Sequence, residues 1–301
     1  MTTPTRPRLI LHAGTPKTGT KTVQSALYGA RDRLLRAGIL YPDVDLSHER
    51  KHQWMVNLPM AGDYEGFGRR VRDVVDMTHA LRPDRVVLST EGLYLHWSDF
   101  VPAARQAIGE LGAAFDTTVW VVFREPLSFA TSLYSQVLKN PRSHLTPCYA
   151  TSQTFDEIVR HPWFATRLRY SGFITEIEQL LGQGRVVATK FESADTVAQA
   201  RALLSVDADT LPDVPGRNHG LKALGADLIR RLNAQALEPS ERQRLVEAAV
   251  EIDRLLGGTE RLPVSDEAAR TVDELSRDGV RYLEERFGIR WPGQAPHGAA
   301  E

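Results

Sequence analysis

The sequence predicts an α/β fold: a three-layer open parallel sheet with helices on both faces, followed by a helical C-terminal part. Two observations predict it. Residues 8–12, 85–90, 118–123 and 185–191 are short runs rich in Val, Leu and Ile without polar alternation, the pattern of strands covered on both faces. Helical patterns lie between these runs, and strands alternating with helices build a doubly wound sheet.

Each element has its own signal. After the first run, Val23, Ala26, Leu27, Ala30, Leu34 and Ala37 fall on one helical face. Gly38 stands where a left-handed residue would end that helix. A second helix begins at Pro126, a good first-turn residue, with Leu127, Ala130, Leu133, Tyr134, Val137 and Leu138 as its stripe. Beyond Gly216 the chain turns helical and charged to about residue 288. Residues 1–7 and 292–301 read as flexible tails. With no internal repeat and no long linker, 1–301 reads as one domain.

Composition narrows the function. A formal net charge of -1 over 301 residues gives no support to nucleic-acid binding, which normally brings a basic excess. Cys148 is the single cysteine. It cannot form an internal disulfide, suits a reducing compartment, and reads as a structural thiol. The first eight residues are polar, and the apolar run after them is too short for a signal peptide or a membrane span. The expectation is a soluble, cytoplasmic protein; its oligomeric state stays open.

In open α/β sheets ligands bind beyond the carboxyl ends of the strands. The loop after the first run is His12-Ala13-Gly14-Thr15-Pro16-Lys17-Thr18-Gly19-Thr20-Lys21-Thr22. Glycines let the backbone approach an anion, free N–H groups at a helix start point at it, and Thr and Lys side chains add donors and charge. The loop departs from the Walker A pattern, because Thr20 occupies the lysine position.

Thr15-Pro16-Lys17-Thr18-Gly19-Thr20 resembles the 5′-phosphosulfate loop of sulfotransferases that use 3′-phosphoadenosine-5′-phosphosulfate (PAPS). The resemblance implies a P-loop NTPase-like fold, PAPS as co-substrate, adenosine 3′,5′-bisphosphate as product, and no metal requirement. It puts Lys17 on the bridging and sulfuryl oxygens, and Thr18, Gly19 and Thr20 on the 5′-phosphate, with Lys21 beside them. Lys21 stands where the family often has a second threonine, and the tryptophan that stacks on adenine in cytosolic members is absent near Val23.

The third run ends in Phe123-Arg124-Glu125-Pro126, with Ser128 and Ser132 following. An arginine at a strand end can fork onto a phosphate, and Ser132 lies two helical turns on. The run resembles the family's 3′-phosphate motif, which assigns Arg124 and Ser132 to that phosphate. Lys190-Phe191-Glu192 matches a segment near adenine, making Phe191 a candidate stacking face. Arg217 falls where the family has a basic loop over the 3′-phosphate. The resemblance covers roughly residues 8–195.

Sulfuryl transfer needs a base for the acceptor's proton and positive charge on the sulfuryl oxygens. Lys17 supplies the charge. Glu91, at the end of the second run, and His52 compete as base. His48-Glu49-Arg50-Lys51-His52 fits the H-E-x-x-H zinc pattern, but Arg50 and Lys51 add cationic charge, and Asn57, Pro59 and Gly62 interrupt a long helix. The expected acceptor is a hydroxyl or amine of a carbohydrate, lipid or small metabolite. Trp54, Tyr64, Phe67, Tyr149, Phe155 and Trp163 are either its walls or core. Two other readings remain: a Mg²⁺-dependent P-loop kinase or NTPase acting on a small molecule, and a non-catalytic nucleotide-binding module.

Overall fold

Leu9, Ile10 and Leu11 are all buried, so the first strand is covered on both faces, as its unbroken apolar run requires. The computed structural model describes residues 6–192, 196–215, 220–257 and 262–292. Arg217 lies outside them, as do 1–5 and 293–301.

The chain begins β1 (Arg8–His12), α1 (Thr20–Gly29), α2 (Arg31–Arg36), β2 (Ile39–Leu40), α3 (Trp54–Met60), α4 (Tyr64–Leu81) and β3 (Arg85–Ser89). It continues with α5 (Gly92–His96), α6 (Pro102–Ala114), β4 (Asp116–Phe123), α7 (Pro126–Lys139), α8 (Phe155–Ile158) and α9 (Pro162–Thr166). It then forms α10 (Tyr170–Leu181), β5 (Val186–Lys190), α11 (Thr196–Leu204), α12 (Ala223–Asn233), α13 (Pro239–Leu256) and α14 (Asp266–Phe287).

The five strands form one parallel sheet in the order β2-β3-β1-β4-β5. The chain runs from β1 to β2 and back to β3 on one side, then crosses to β4 and β5 on the other, so the topological switch point, where open α/β sheets bind ligands, lies beside β1. The α/β fold with a P-loop NTPase-like sheet is thus observed. The register sets His12 level with Ser89 on β3 and Trp120 on β4.

The four expected strands match β1, β3, β4 and β5 within two residues at each end. The sequence missed β2, a two-residue edge strand. The expected helix over 23–37 is two helices, because the backbone departs from helical geometry at Ala30 (φ −103°, ψ 8°). Gly38 takes the left-handed conformation expected of it, with φ 75°.

The chain groups into two compact units. The first holds the described residues among 1–124, 171–217 and 283–296, the second those among 125–170, 218–282 and 297–301. In the first unit, Ile10, Val87, Trp120 and Val122 pack against Val23, Ala26 and Leu27 of α1 and against Val197 and Ala200 of α11. Alternate residues face the other side, where Tyr94 of α5 meets Phe123 at 6.0 Å and Thr117 donates to the Gly112 carbonyl of α6. Burying one such large apolar side chain is worth about 1.5–3 kcal/mol.

The second unit is helical. Its core includes Phe129 against Tyr170 and Tyr134 against Phe155. The buried Arg242 donates to the Leu138 and Asn140 carbonyls at 2.8 and 3.0 Å, which closes the C-terminal end of α7. Asn233 accepts from Arg242 at 2.8 Å and donates to the Thr151 carbonyl. Among the described residues no helix is long and apolar enough to cross a membrane.

Candidate active site

The 13–19 loop is tied down from behind. The backbone N–H groups of Ala13 and Thr15 donate to the carbonyls of Trp120 and Val122, and the Thr15 hydroxyl donates to the Val122 carbonyl at 2.9 Å. Thr18 donates to the Thr15 carbonyl at 2.6 Å. Lys17 (φ 69°) and Gly19 (φ 75°) both take positive φ. For lysine this is a sparsely populated state that the surrounding bonds must hold. A Cβ at Gly19 would also strike Thr196 Oγ1 at 2.7 Å, so position 19 needs glycine on two counts. Helix α1 then opens with no side-chain cap and no acidic residue in its first turn, which leaves its positive end for an anion.

Gly14 is closely surrounded by polar atoms. A Cβ there would lie 3.2 Å from His12 Nε2, 3.3 Å from Thr18 Oγ1 and 3.6 Å from Thr20 Oγ1. Three polar atoms thus crowd around Gly14, closer than a side chain there would easily sit.

The first unit brings together expected residues beyond the ends of β1, β4 and β5. The Arg124 guanidinium donates to the Lys17 carbonyl at 3.0 Å and lies 5.3 Å from the Phe191 ring centre. Phe191 donates its backbone N–H to the Phe123 carbonyl. Ser132 lies on α7 in the second unit. There Glu125 accepts from the Leu127 and Ser128 N–H groups at 2.9 and 2.6 Å and caps the helix. Lys21 is exposed and ion-paired to Glu49.

Glu91 is half-buried just past the end of β3. Its Oε1 meets Lys51 Nζ at 3.1 Å, and its Oε2 accepts from Gln24 Nε2 at 3.1 Å. Burial alone would push the Glu91 carboxyl up. The Lys51 ammonium, the residue's own backbone N–H and the Gln24 amide together outweigh burial and hold it below the ordinary carboxylate value. Lys51 also pairs with Glu49 at 2.7 Å, so Lys21, Glu49, Lys51 and Glu91 form an alternating chain of charge.

His52 is fully buried with both ring nitrogens engaged. Its Nδ1 accepts from the Ser89 N–H at 3.1 Å, and its Nε2 lies 2.9 Å from the Pro42 carbonyl, which can only accept. Burial lowers its pKa to about 4. The 48–52 segment is a turn with Arg50 at φ 64°, not a helix, so the zinc pattern's spacing has no helical face to act on. Among the described residues, no group of three His, Cys, Asp or Glu side chains could hold a metal.

Trp54, Phe67, Phe155 and Trp163 are buried, whereas Tyr64 is exposed. Trp54 packs on Phe67 at 5.4 Å.

Sequence reasoning missed four participants: His12, Gln24, Ser89 and Lys51. His12 and Ser89 are polar residues ending apolar strands, a signal that was present. Gln24 and Lys51 carried none, since their partners lie 67 and 40 residues away.

No family model matches the chain, and no curated protein matches it. Among solved structures, the chain is similar to a sulfotransferase from Alicyclobacillus acidocaldarius. The alignment covers 90% of this chain and 96% of that one at 18% identity, with a TM-score of 0.39. The fold assignment rests on the strand order rather than on this likeness.

Proposed function

We propose that the protein is a PAPS-dependent sulfotransferase acting on a hydroxyl or amine of a carbohydrate, lipid or small metabolite. The observation that carries the reading is the bond from Arg124 to the Lys17 carbonyl. It joins two sequence motifs, each suited to a phosphate, at one edge of the sheet. A nucleotide with phosphates at both the 5′ and 3′ positions asks for two such groups. The uncapped start of α1 and the polar atoms gathered around Gly14 suit the tetrahedral oxyanions of a phosphosulfate.

In this reading Lys17 neutralises charge on the sulfuryl oxygens and on the departing phosphate. Thr18, Gly19 and Thr20 hold the 5′-phosphate, Arg124 the 3′-phosphate, and Phe191 flanks the base. Ser132 is assigned to the 3′-phosphate on sequence spacing alone. The acceptor oxygen or nitrogen forms its bond to sulfur as the bond from sulfur to the 5′-phosphate oxygen breaks. The acceptor's proton goes to Glu91. Its oxygens keep lone pairs beyond those given to Lys51 and Gln24, whereas His52 has both nitrogens committed to the backbone.

A magnesium-dependent kinase would want an acid at a strand end facing the metal. Glu91, the acid at the end of β3, already lies against the Lys51 ammonium. The test is transfer of labelled sulfate from PAPS to a metabolite extract in the presence of a chelator. Label on an acceptor supports the proposal. Transfer of the ATP γ-phosphate instead, and only with Mg²⁺, would overturn it.

A further inference from the structure

We propose that His12 is a neutral hydrogen-bond donor to the oxyanion held by the 13–19 loop, with its proton fixed on Nε2 by a relay that begins at Glu91. The proposal rests on the reading of this loop as an anion cradle, whichever anion it takes.

The relay follows from which atoms can donate. A carboxylate only accepts, so Gln24 must present its NH₂ to Glu91 Oε2, at 3.1 Å. The same NH₂ reaches Ser89 Oγ at 3.2 Å. Ser89 Oγ accepts there, and among the described residues the one acceptor within reach of its own hydroxyl hydrogen is His12 Nδ1, at 2.9 Å. Nδ1 therefore accepts, and in a neutral imidazole the remaining proton sits on Nε2. The ring is neutral at physiological pH, because burial drops its pKa to about 4 despite the Glu91 carboxylate.

That Nε2–H is fully buried and has no hydrogen-bond partner among the described residues, a costly state for a protein donor. The ring is held in place by stacking on Trp120, with centroids 4.2 Å apart and planes at 23°. Nε2 lies 3.2 Å from the point where a Cβ at Gly14 would sit, beside the Thr18 and Thr20 hydroxyls, so it borders the loop at Gly14. An acceptor entering there would satisfy it, and a phosphate or sulfuryl oxygen is such an acceptor. His52 shows the contrast: equally buried, with a similarly lowered pKa, it spends both nitrogens on backbone groups.

Long-range ¹H–¹⁵N spectra of the histidine-labelled full chain at neutral pH test this directly. The account expects His12 to be protonated on Nε2 and bare on Nδ1. Pyrophosphate and adenosine 3′,5′-bisphosphate, titrated separately, should each move the Nε2–H resonance downfield as they saturate. His12→Phe keeps a ring to stack on Trp120 but removes the donor, and should weaken pyrophosphate binding about tenfold. Gln24→Leu should leave the fold intact and mix the two tautomers. A proton found on Nδ1, or an Nε2 signal unmoved by a saturating anion, would overturn the proposal without any variant having to fold. A response to pyrophosphate with no binding of the bisphosphate would sustain His12 and remove the sulfotransferase reading. Bisphosphate binding that leaves Nε2 unmoved would do the reverse, and failure of both anions to bind would remove both.

Discussion

The helices that follow the neighbouring strands β1 and β4 begin in opposite ways. After β4, Pro126 takes the first turn of α7 and the Glu125 carboxylate accepts from two of its N–H groups. That helix brings its own anion. After β1, Gly19 brings no side chain, no acid follows in the first turn, and polar atoms of His12, Thr18 and Thr20 gather around Gly14. A helix start is a general anion site. The difference teaches that the informative helix start is the one the chain leaves uncapped.

The comparison can be broken at several points. The largest effect is expected beside the uncapped helix, where Glu91→Gln should lower turnover by roughly 10²–10⁴-fold while bisphosphate affinity holds, if Glu91 is the base. Stopped-time assays alongside calorimetry would check it. Because the Glu91 carboxyl is held below its usual 4.5, wild-type turnover should stay independent of this group from neutral pH down to that value, and fall only below it. The same shift contributes stability above the unfolded pKa, and that stability is lost as pH falls through the lower folded value. A rate that already falls above pH 4.5 would take the role of base away from Glu91.

Arg124→Ala comes next. Loss of a charge-assisted contact should weaken the bisphosphate by about tenfold to a hundredfold. Adenosine 5′-phosphosulfate, which lacks the 3′-phosphate, should be weakened far less, and an equal loss for both would move Arg124 away from the 3′ position. At the capped helix start, Glu125→Ala should cost about 1 kcal/mol of stability in denaturant unfolding, as loss of an N-cap does. The smallest effect belongs to Lys21→Ala. Its side chain is 66% exposed and paired with Glu49, and such pairs contribute ~0–1 kcal/mol. Bisphosphate affinity should therefore change by less than about fivefold, and a larger loss would bring Lys21 into the ligand's contact.

Much of the fold was legible because strands buried on both faces are written as unbroken apolar runs. The edge strand β2 was not, since Ile39 and Leu40 are too few to show a period. Nor was the break at Ala30, because an apolar stripe continues across it unchanged from Val23 to Ala37. In the site, the loop was legible from local spacing, and Arg124 from its place at a strand end. The relay was not. His12, Gln24 and Ser89 meet only after parallel pairing sets β1 beside β3, and His12 and Ser89 are 77 residues apart. His52 shows the opposite limit. Its residue type suits a base, and only the folded chain reveals that both nitrogens are taken.

The central claim is that the edge beyond β1 and β4 binds a nucleotide through two separate phosphates. Titration calorimetry of the full chain with adenosine 3′,5′-bisphosphate and with ATP tests it most directly. The account predicts tighter binding of the bisphosphate, with Mg²⁺ making no difference to it. Equal or tighter binding of ATP, strengthened by Mg²⁺, would contradict it.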